Sequence, residues 1–89
     1  MGNYQGIGEV TQQGQHISKV KYSVQPTPIE GEIEVEKGEK GLSRPYLARD
    51  RLTLHMEGGL VLDFRIAQVS DQVNGKYYIT GIGDFRRSS

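Results

Sequence analysis

The chain has 89 residues, no cysteine, and a formal net charge of zero from 11 basic and 11 acidic side chains. This length predicts one domain that buries roughly 60–65% of its unfolded surface. The lack of cysteine excludes disulfides and thiolate metal sites. The balanced charge argues against a nucleic-acid binder that acts through a basic excess. We find no run of about 20 apolar residues and no signal-peptide pattern, so we expect no membrane partner and a cytoplasmic location.

Glycine, valine, isoleucine, tyrosine and threonine are frequent, and no helical period is visible, which predicts an all-β chain. The expected fold is a single small antiparallel β-barrel or strongly bent sheet of about six strands, SH3-like or OB-like in character. We expect residues 1–89 to form this one β domain, with residues 84–89 as a frayed C-terminal tail.

The first hairpin is predicted over residues 4–25, with residues 13–14 in its turn. This turn pairs Val10 with Ile17. The apolar pairs of the hairpin would face opposite sides of the sheet unless one strand carries a bulge. We therefore expect a bulge near residues 18–19, which would bend the hairpin as the closure of a small barrel requires.

The next strand is predicted over residues 29–37, because Pro26 and Pro28 cannot donate to a ladder and end the strand before it. Every second residue of the new strand is acidic. These residues, called the glutamate stripe below, are Glu30, Glu32, Glu34 and Glu36. We expect the stripe to be a solvated outer face paired with Lys19 and Lys21. A metal site is disfavoured because same-face residues of one strand stand about 7 Å apart and diverge with the twist.

Residues 37–51 form the least regular segment, with five cations against two acids. Irregular segments of this length are often functional. Guanidinium groups bind phosphates and carboxylates, and tyrosine stacks on bases and sugars. The candidate ligand-binding residues of this cationic loop are Arg44, Tyr46, Arg49 and Arg51. The alternative is that they pair with the glutamate stripe and Asp50.

Residues 52–66, LTLHMEGGLVLDFRI, are predicted to form the central hairpin. A three-residue loop at 57–59 pairs Leu54 with Leu62 on the core face and places Gly59 at the left-handed position. A two-residue turn would instead set leucine opposite aspartate, mixing core and solvent faces on both strands.

The last hairpin is predicted from Asn74-Gly75, a dipeptide typical of two-residue turns. This turn pairs Gln72 with Tyr77 and places Tyr77 and Ile79 in the core. The opposite face of the hairpin is unusually apolar, and its candidate interface residues are Val61, Val69, Tyr78 and Ile82. Such a face predicts cover by the chain itself, by a second copy or by a partner protein.

The sequence carries no enzymatic motif. His16 and His55 lie outside any HExxH or HxH pattern, and we expect them to be surface residues. The Gly-Ile-Gly segments at 6–8 and 81–83 lack the third glycine and the helix of a phosphate loop, so we interpret them as bends and close packing at barrel corners. We expect no catalytic residue, no metal site and no cofactor.

The sequence thus favours a non-catalytic binding or assembly module that uses an apolar sheet face or an edge strand. Its expected partner is another protein or a second copy of itself, which would make it a homo-oligomer. The alternative is a small β-barrel that binds an anionic ligand or nucleic acid through the cationic loop, residues 37–51.

Overall fold

The structure, a computed structural model, describes residues 3–38, 51–71 and 74–87. Seven β-strands and one 3-10 turn make up the secondary structure of these ranges. The strands are β1 (Tyr4–Gln12), β2 (Gln15–Pro26), β3 (Ile29–Val35), β4 (Leu52–His55), β5 (Leu60–Asp71), β6 (Lys76–Gly81) and β7 (Arg86–Arg87), and the 3-10 turn is Glu57–Gly59. Within the same ranges, no helix is long and apolar enough to cross a membrane.

Six of the strands close into an antiparallel barrel in the order β1-β2-β3-β6-β5-β4. β4 pairs with β1 as well as with β5, and this second pairing closes the cylinder. The seventh strand, β7, adds a short segment beside β5. The prediction of an all-β barrel of about six strands is confirmed. Closure also occupies strand edges that would otherwise be free to pair with other chains.

Apolar side chains on the inner faces of the strands form one core. Its fully buried aliphatic and aromatic members are Val10, Val20, Val24, Ile33, Leu52, Leu54, Leu62, Phe64 and Ile79. Tyr77 is also buried, as the sequence predicts. Tyr22 reaches the end of the core, where its hydroxyl oxygen accepts a hydrogen bond of 2.9 Å from the backbone N–H of Glu57. That bond satisfies a polar group that would be costly to bury alone.

The central hairpin has the predicted register. Leu54 pairs with Leu62 and Leu52 pairs with Phe64, and these four side chains are fully buried. The 3-10 turn forms the predicted three-residue loop, and both Gly58 and Gly59 have positive φ angles, of 82° and 83°. The N–H of Met56 donates to the carbonyl oxygen of Leu60 at 2.8 Å and closes the loop. The glycines of the turn and the apolar alternation of the strands therefore favour the same register in this hairpin.

The first hairpin has the predicted turn, but its residue pairing differs from the predicted one. Gln13 and Gly14 occupy the turn with positive φ angles of 52° and 82°. Val10, however, pairs with Ser18 and not with Ile17, because the bulge comes one residue earlier than predicted. The extra residue at position 17 changes the alternation, so that every second residue of β2 from Ser18 on faces the core.

Ser18 is fully buried, and its hydroxyl oxygen has no hydrogen-bond partner among the described residues. A hydroxyl buried in this way destabilises the fold by roughly 1–3 kcal/mol. We therefore expect Ser18→Ala to raise the free energy of unfolding by about 1 kcal/mol, once the small cavity is allowed for. Urea denaturation of the two proteins measures the difference, and a loss of stability in Ser18→Ala would contradict the prediction.

The last hairpin has a register different from the predicted one. Tyr77 pairs with Val69, and Ile79 pairs with Ile66, while Gln72 lies outside the described residues. Two irregularities in β5, between Ile66 and Gln68 and again after Val69, shift the register along the strand. Asn74-Gly75 still lies between β5 and β6, so the turn was correctly located. The two-residue connection was wrong, because Lys76 pairs with Asp71 at the end of β5.

The C-terminal segment is paired where the sequence predicted fraying from residue 84. Arg86 pairs with Val61, and Arg87 pairs with Leu60 on β5. A guanidinium nitrogen of Arg86 also donates to Asp63 Oδ1 at 2.7 Å. Residues 86–87 are therefore held in the sheet by backbone pairing and by an ion pair.

Candidate functional site

The cationic loop falls largely outside the described ranges. Arg44, Tyr46 and Arg49 lie outside them, and only Arg51 is described, as an exposed residue immediately before β4. Anion binding through this loop therefore stays a prediction.

The four interface candidates do not share one exposed face. Val61 is only 5% exposed, Val69 packs against the core, and Ile82 is half-buried. Tyr78 alone among them is well exposed, at 46%. The bulges of β5 cause this separation, because they turn Val69 inward and leave Gln68 beside Tyr78.

Val61 is covered by the chain's own C-terminal strand. β7 pairs with β5 at this position, and the side chain of Arg86 reaches past Val61 to Asp63. Asp63 Oδ1 also accepts a hydrogen bond of 3.0 Å from Thr53 Oγ1 on β4. The three strands are thus tied together over the outer face, and this part of the apolar face is occupied within one chain.

Tyr78 lies in a groove of about 480 Å³ on the outer surface of β2, β3, β6 and β5. Its centre is a row of side chains directly opposite one another on the four strands. This row, called the Tyr78 row, consists of Ser23, Glu32, Tyr78 and Gln68. Directly opposed residues have Cβ atoms about 5 Å apart, so the row forms one continuous contact surface.

Alternation within β6 explains why the ring of Tyr78 is exposed. Tyr77 and Ile79 face the core at 3% and 1% exposure, and the residue between them must face outward. The sequence named Tyr78 as exposed, but it did not identify its neighbour Glu32. That neighbour depends on the pairing of β3 with β6, two strands that are far apart in the chain and carry no local pairing pattern.

The glutamate stripe is not balanced evenly along its length. Glu34 lies directly opposite Lys21 on β2 and Lys76 on β6, although no ion pair joins these side chains in the described part of the chain. Glu32 lies between Ser23 and Tyr78, and among the described residues no hydrogen bond or ion pair engages its half-buried carboxylate. The stripe therefore has a lysine on each side of one carboxylate and no cation opposite the next.

The two histidines make local contacts elsewhere on the outer surface. His16 Nδ1 lies 2.5 Å from Glu9 Oε2, and His55 Nε2 lies 2.9 Å from Thr11 Oγ1. His16 is exposed and His55 is half-buried. Within the described ranges, no group of three histidine, aspartate or glutamate side chains is arranged to hold a metal ion.

The Tyr78 groove offers an aromatic ring, carboxylates, hydroxyls and side-chain amides. Its described lining contains Glu30 and Glu32 but no lysine, arginine or histidine. Its volume lies in the range of ligand pockets, about 300–1,000 Å³. Such a surface can bind through stacking, hydrogen bonds and negative charge. No family model, no curated protein and no solved structure matches this chain.

Proposed function

We propose that this chain is a non-catalytic binding module that contacts a protein partner through the Tyr78 groove. The observation that carries the proposal is the 46% exposure of the Tyr78 ring inside a concave surface. Exposed aromatic side chains in concave settings are typical of interface hot spots, since a tyrosine contributes a large contact area with little conformational freedom to lose.

The composition of the groove supports a protein partner. Hydroxyl and amide groups from Ser23, Gln25, Gln68 and Thr80 surround the ring of Tyr78. A polar rim around one aromatic anchor is the usual anatomy of a protein contact that forms and dissociates. The rest of the apolar face contributes little, because Val61 is buried within the chain and Val69 is half-buried against the core.

A foreign partner fits this surface better than a second copy. A two-fold contact places the same patch of both copies together. Through this groove it would bring Glu30 and Glu32 of one copy against the same carboxylates of the other. Like charges opposed in this way are destabilising, so the groove favours a partner of different composition over a homo-oligomer.

The test is site-specific photo-crosslinking in the native cell. Tyr78 is replaced by p-benzoylphenylalanine, an aromatic residue of similar shape, and Tyr4 is replaced in the same way as the matched control. Tyr4 is also an exposed tyrosine, at 39%, but it lies outside the groove against Phe85, with ring centroids 4.8 Å apart. We expect a discrete adduct from position 78 at several times the yield from position 4.

The mass of the adduct separates the two kinds of partner. An adduct at twice the mass of the chain would mean a homo-oligomer, and any other discrete mass would mean a foreign protein. Equal yields from positions 78 and 4, or no discrete adduct from position 78, would contradict a binding function of the groove.

A further inference from the structure

We infer that the Tyr78 groove binds a positively charged side chain, a lysine ammonium or an arginine guanidinium, carried by an extended segment of the partner protein. This inference rests on the binding function proposed above and names the chemistry that the groove selects. It follows from the charge distribution along β3 together with the position of one aromatic ring.

The charge distribution supplies the first step. Glu34 has a lysine opposite it on each neighbouring strand, whereas Glu32 has a serine and a tyrosine. Glu30, the next residue of the stripe toward the β2–β3 turn, has Gln25 and Thr80 opposite it. Two carboxylates therefore line the groove, and no basic residue does so among the described lining residues.

The state of these two carboxylates supplies the second step. Gln25 Nε2 donates to the backbone carbonyl oxygen of Pro28 at 3.3 Å and lies 3.5 Å from Glu30 Oε1. Glu30 is exposed, so water can solvate its charge. Glu32 is half-buried and has no hydrogen bond or ion pair within the described part of the chain. A partly desolvated carboxylate gains most from an added cation.

The aromatic ring supplies the third step. Tyr78 is directly opposite Glu32, so a cation placed between them contacts both the ring face and the carboxylate. Cations bind to the faces of tyrosine rings through the ring quadrupole, and a carboxylate on the other side adds direct charge attraction. An anionic ligand would be repelled by both Glu30 and Glu32, and a neutral ligand would leave Glu32 uncompensated.

The shape of the groove favours a peptide segment as the carrier. The groove crosses four strands and is open along the Tyr78 row, with hydroxyl and amide side chains on both sides of the ring. These groups can bond to the peptide units that flank a lysine or arginine. A small free amine would use the charge of Glu32 but would leave these neutral donors and acceptors unused.

The experiment is a titration of the isotope-labelled chain, followed by amide chemical shifts. The probe is an acetylated and amidated heptapeptide of alternating threonine and lysine. The controls are the same peptide with glutamate in place of lysine, and spermidine as a free polyamine. We expect the lysine peptide to shift the amides of Glu32, Tyr78 and Gln68, with affinity falling as sodium chloride rises from about 50 mM to about 300 mM.

Two matched variants locate the charge. Glu32→Gln is expected to weaken binding of the lysine peptide about fivefold, because it removes the uncompensated carboxylate. Glu34→Gln removes the same charge from the same strand and is expected to change binding by less than about twofold, because Glu34 lies outside the groove lining and has Lys21 and Lys76 opposite it. Tyr78→Leu is expected to weaken binding about threefold through loss of the cation–ring contact.

Four results would overturn the inference. The lysine peptide could fail to bind, or the glutamate peptide could bind. Glu32→Gln and Glu34→Gln could have equal effects, or spermidine could shift the amides as much as the lysine peptide does at equal charge concentration. The crosslinking yield at position 78 separates this failure from failure of the proposed function. A strong adduct without lysine-peptide binding would overturn only the cationic partner, whereas the absence of both would overturn the binding role of the groove.

Discussion

Phe64→Ala is expected to lower the free energy of unfolding by about 3–5 kcal/mol. Phe64 is fully buried in the middle of β5, paired with Leu52 on one side and with Gly81 on the other. Its ring therefore fills the part of the barrel where β4, β5 and β6 meet. Removing the ring loses its transfer free energy and leaves a cavity that three hydrogen-bonded strands cannot close by a small movement.

This loss is large relative to the total free energy of unfolding. A chain of this length has a stability of roughly 4–13 kcal/mol, so the variant would lose a large part of it. Guanidinium denaturation followed by far-ultraviolet circular dichroism measures the loss. Phe85→Ala is the matched control, since Phe85 is only half-buried at the edge of the core and should lose less than half as much. Equal losses in the two variants would contradict the core position of Phe64.

Gly31→Ala is expected to lower the free energy of unfolding by about 2–3 kcal/mol, although it adds only one methyl group. Gly31 lies on β3 between Val24 on β2 and Ile79 on β6. A Cβ atom at this position would overlap the backbone carbonyl oxygen of Ser23 and would lie 2.7 Å from the Cα of Val24. Both obstacles are backbone atoms of a neighbouring strand, so relief requires β2 and β3 to separate locally.

Gly6→Ala provides the comparison for this prediction. An added Cβ there would lie 2.8 Å from the carboxyl end of Glu57 and 2.8 Å from the hydroxyl of Tyr22, which are side-chain atoms. Side-chain ends can move more cheaply than a strand backbone, so we expect less than half the loss of Gly31→Ala. Thermal unfolding of both variants gives the ranking, and a larger loss in Gly6→Ala would contradict it.

The central hairpin could be predicted from the sequence because two independent constraints agree. The apolar alternation of residues 52–66 and the positive φ required at Gly59 select the same three-residue loop. The predicted bends and close packing at the glycines of residues 6–8 and 81–83 are both present, close packing at Gly8 and Gly81 and a positive φ with open space at Gly83. Gly8, for example, has the backbone carbonyl oxygen of His55 where a Cβ would be.

Bulges account for what the sequence could not predict. A bulge moves one residue out of the ladder without a fixed sequence pattern. The alternation therefore predicted the bulge in β2 one residue too late, and it did not predict the irregularities in β5. The register of the last hairpin depended on those irregularities. The expected apolar face depended on that register. In the structure Val69 faces the core and Tyr78 faces solvent, so the two residues do not share one face.

The candidate site was predicted only in part for a related reason. Tyr78 follows from alternation within one strand, which local sequence shows. The unbalanced charge of Glu32 depends on which residues lie opposite it on β2 and on β6, and the second of these pairings joins distant parts of the chain. Cross-strand neighbours of this kind appear only when the strand order is known.

The strand order also affects the order in which the barrel can form. β1, β2 and β3 are joined by local turns, as are β4, β5 and β6, so each set of three can pair within itself. The two sets meet along two seams, represented by Val10 with Leu54 and Ile33 with Tyr77, which are distant in sequence. Strand pairings between distant parts of the chain slow folding, because the entropy cost of closing the loop comes before the stabilising contacts form. During synthesis β1, β2 and β3 therefore emerge before their barrel partners β4 and β6, so both edges of this three-stranded unit stay unpaired until those strands follow.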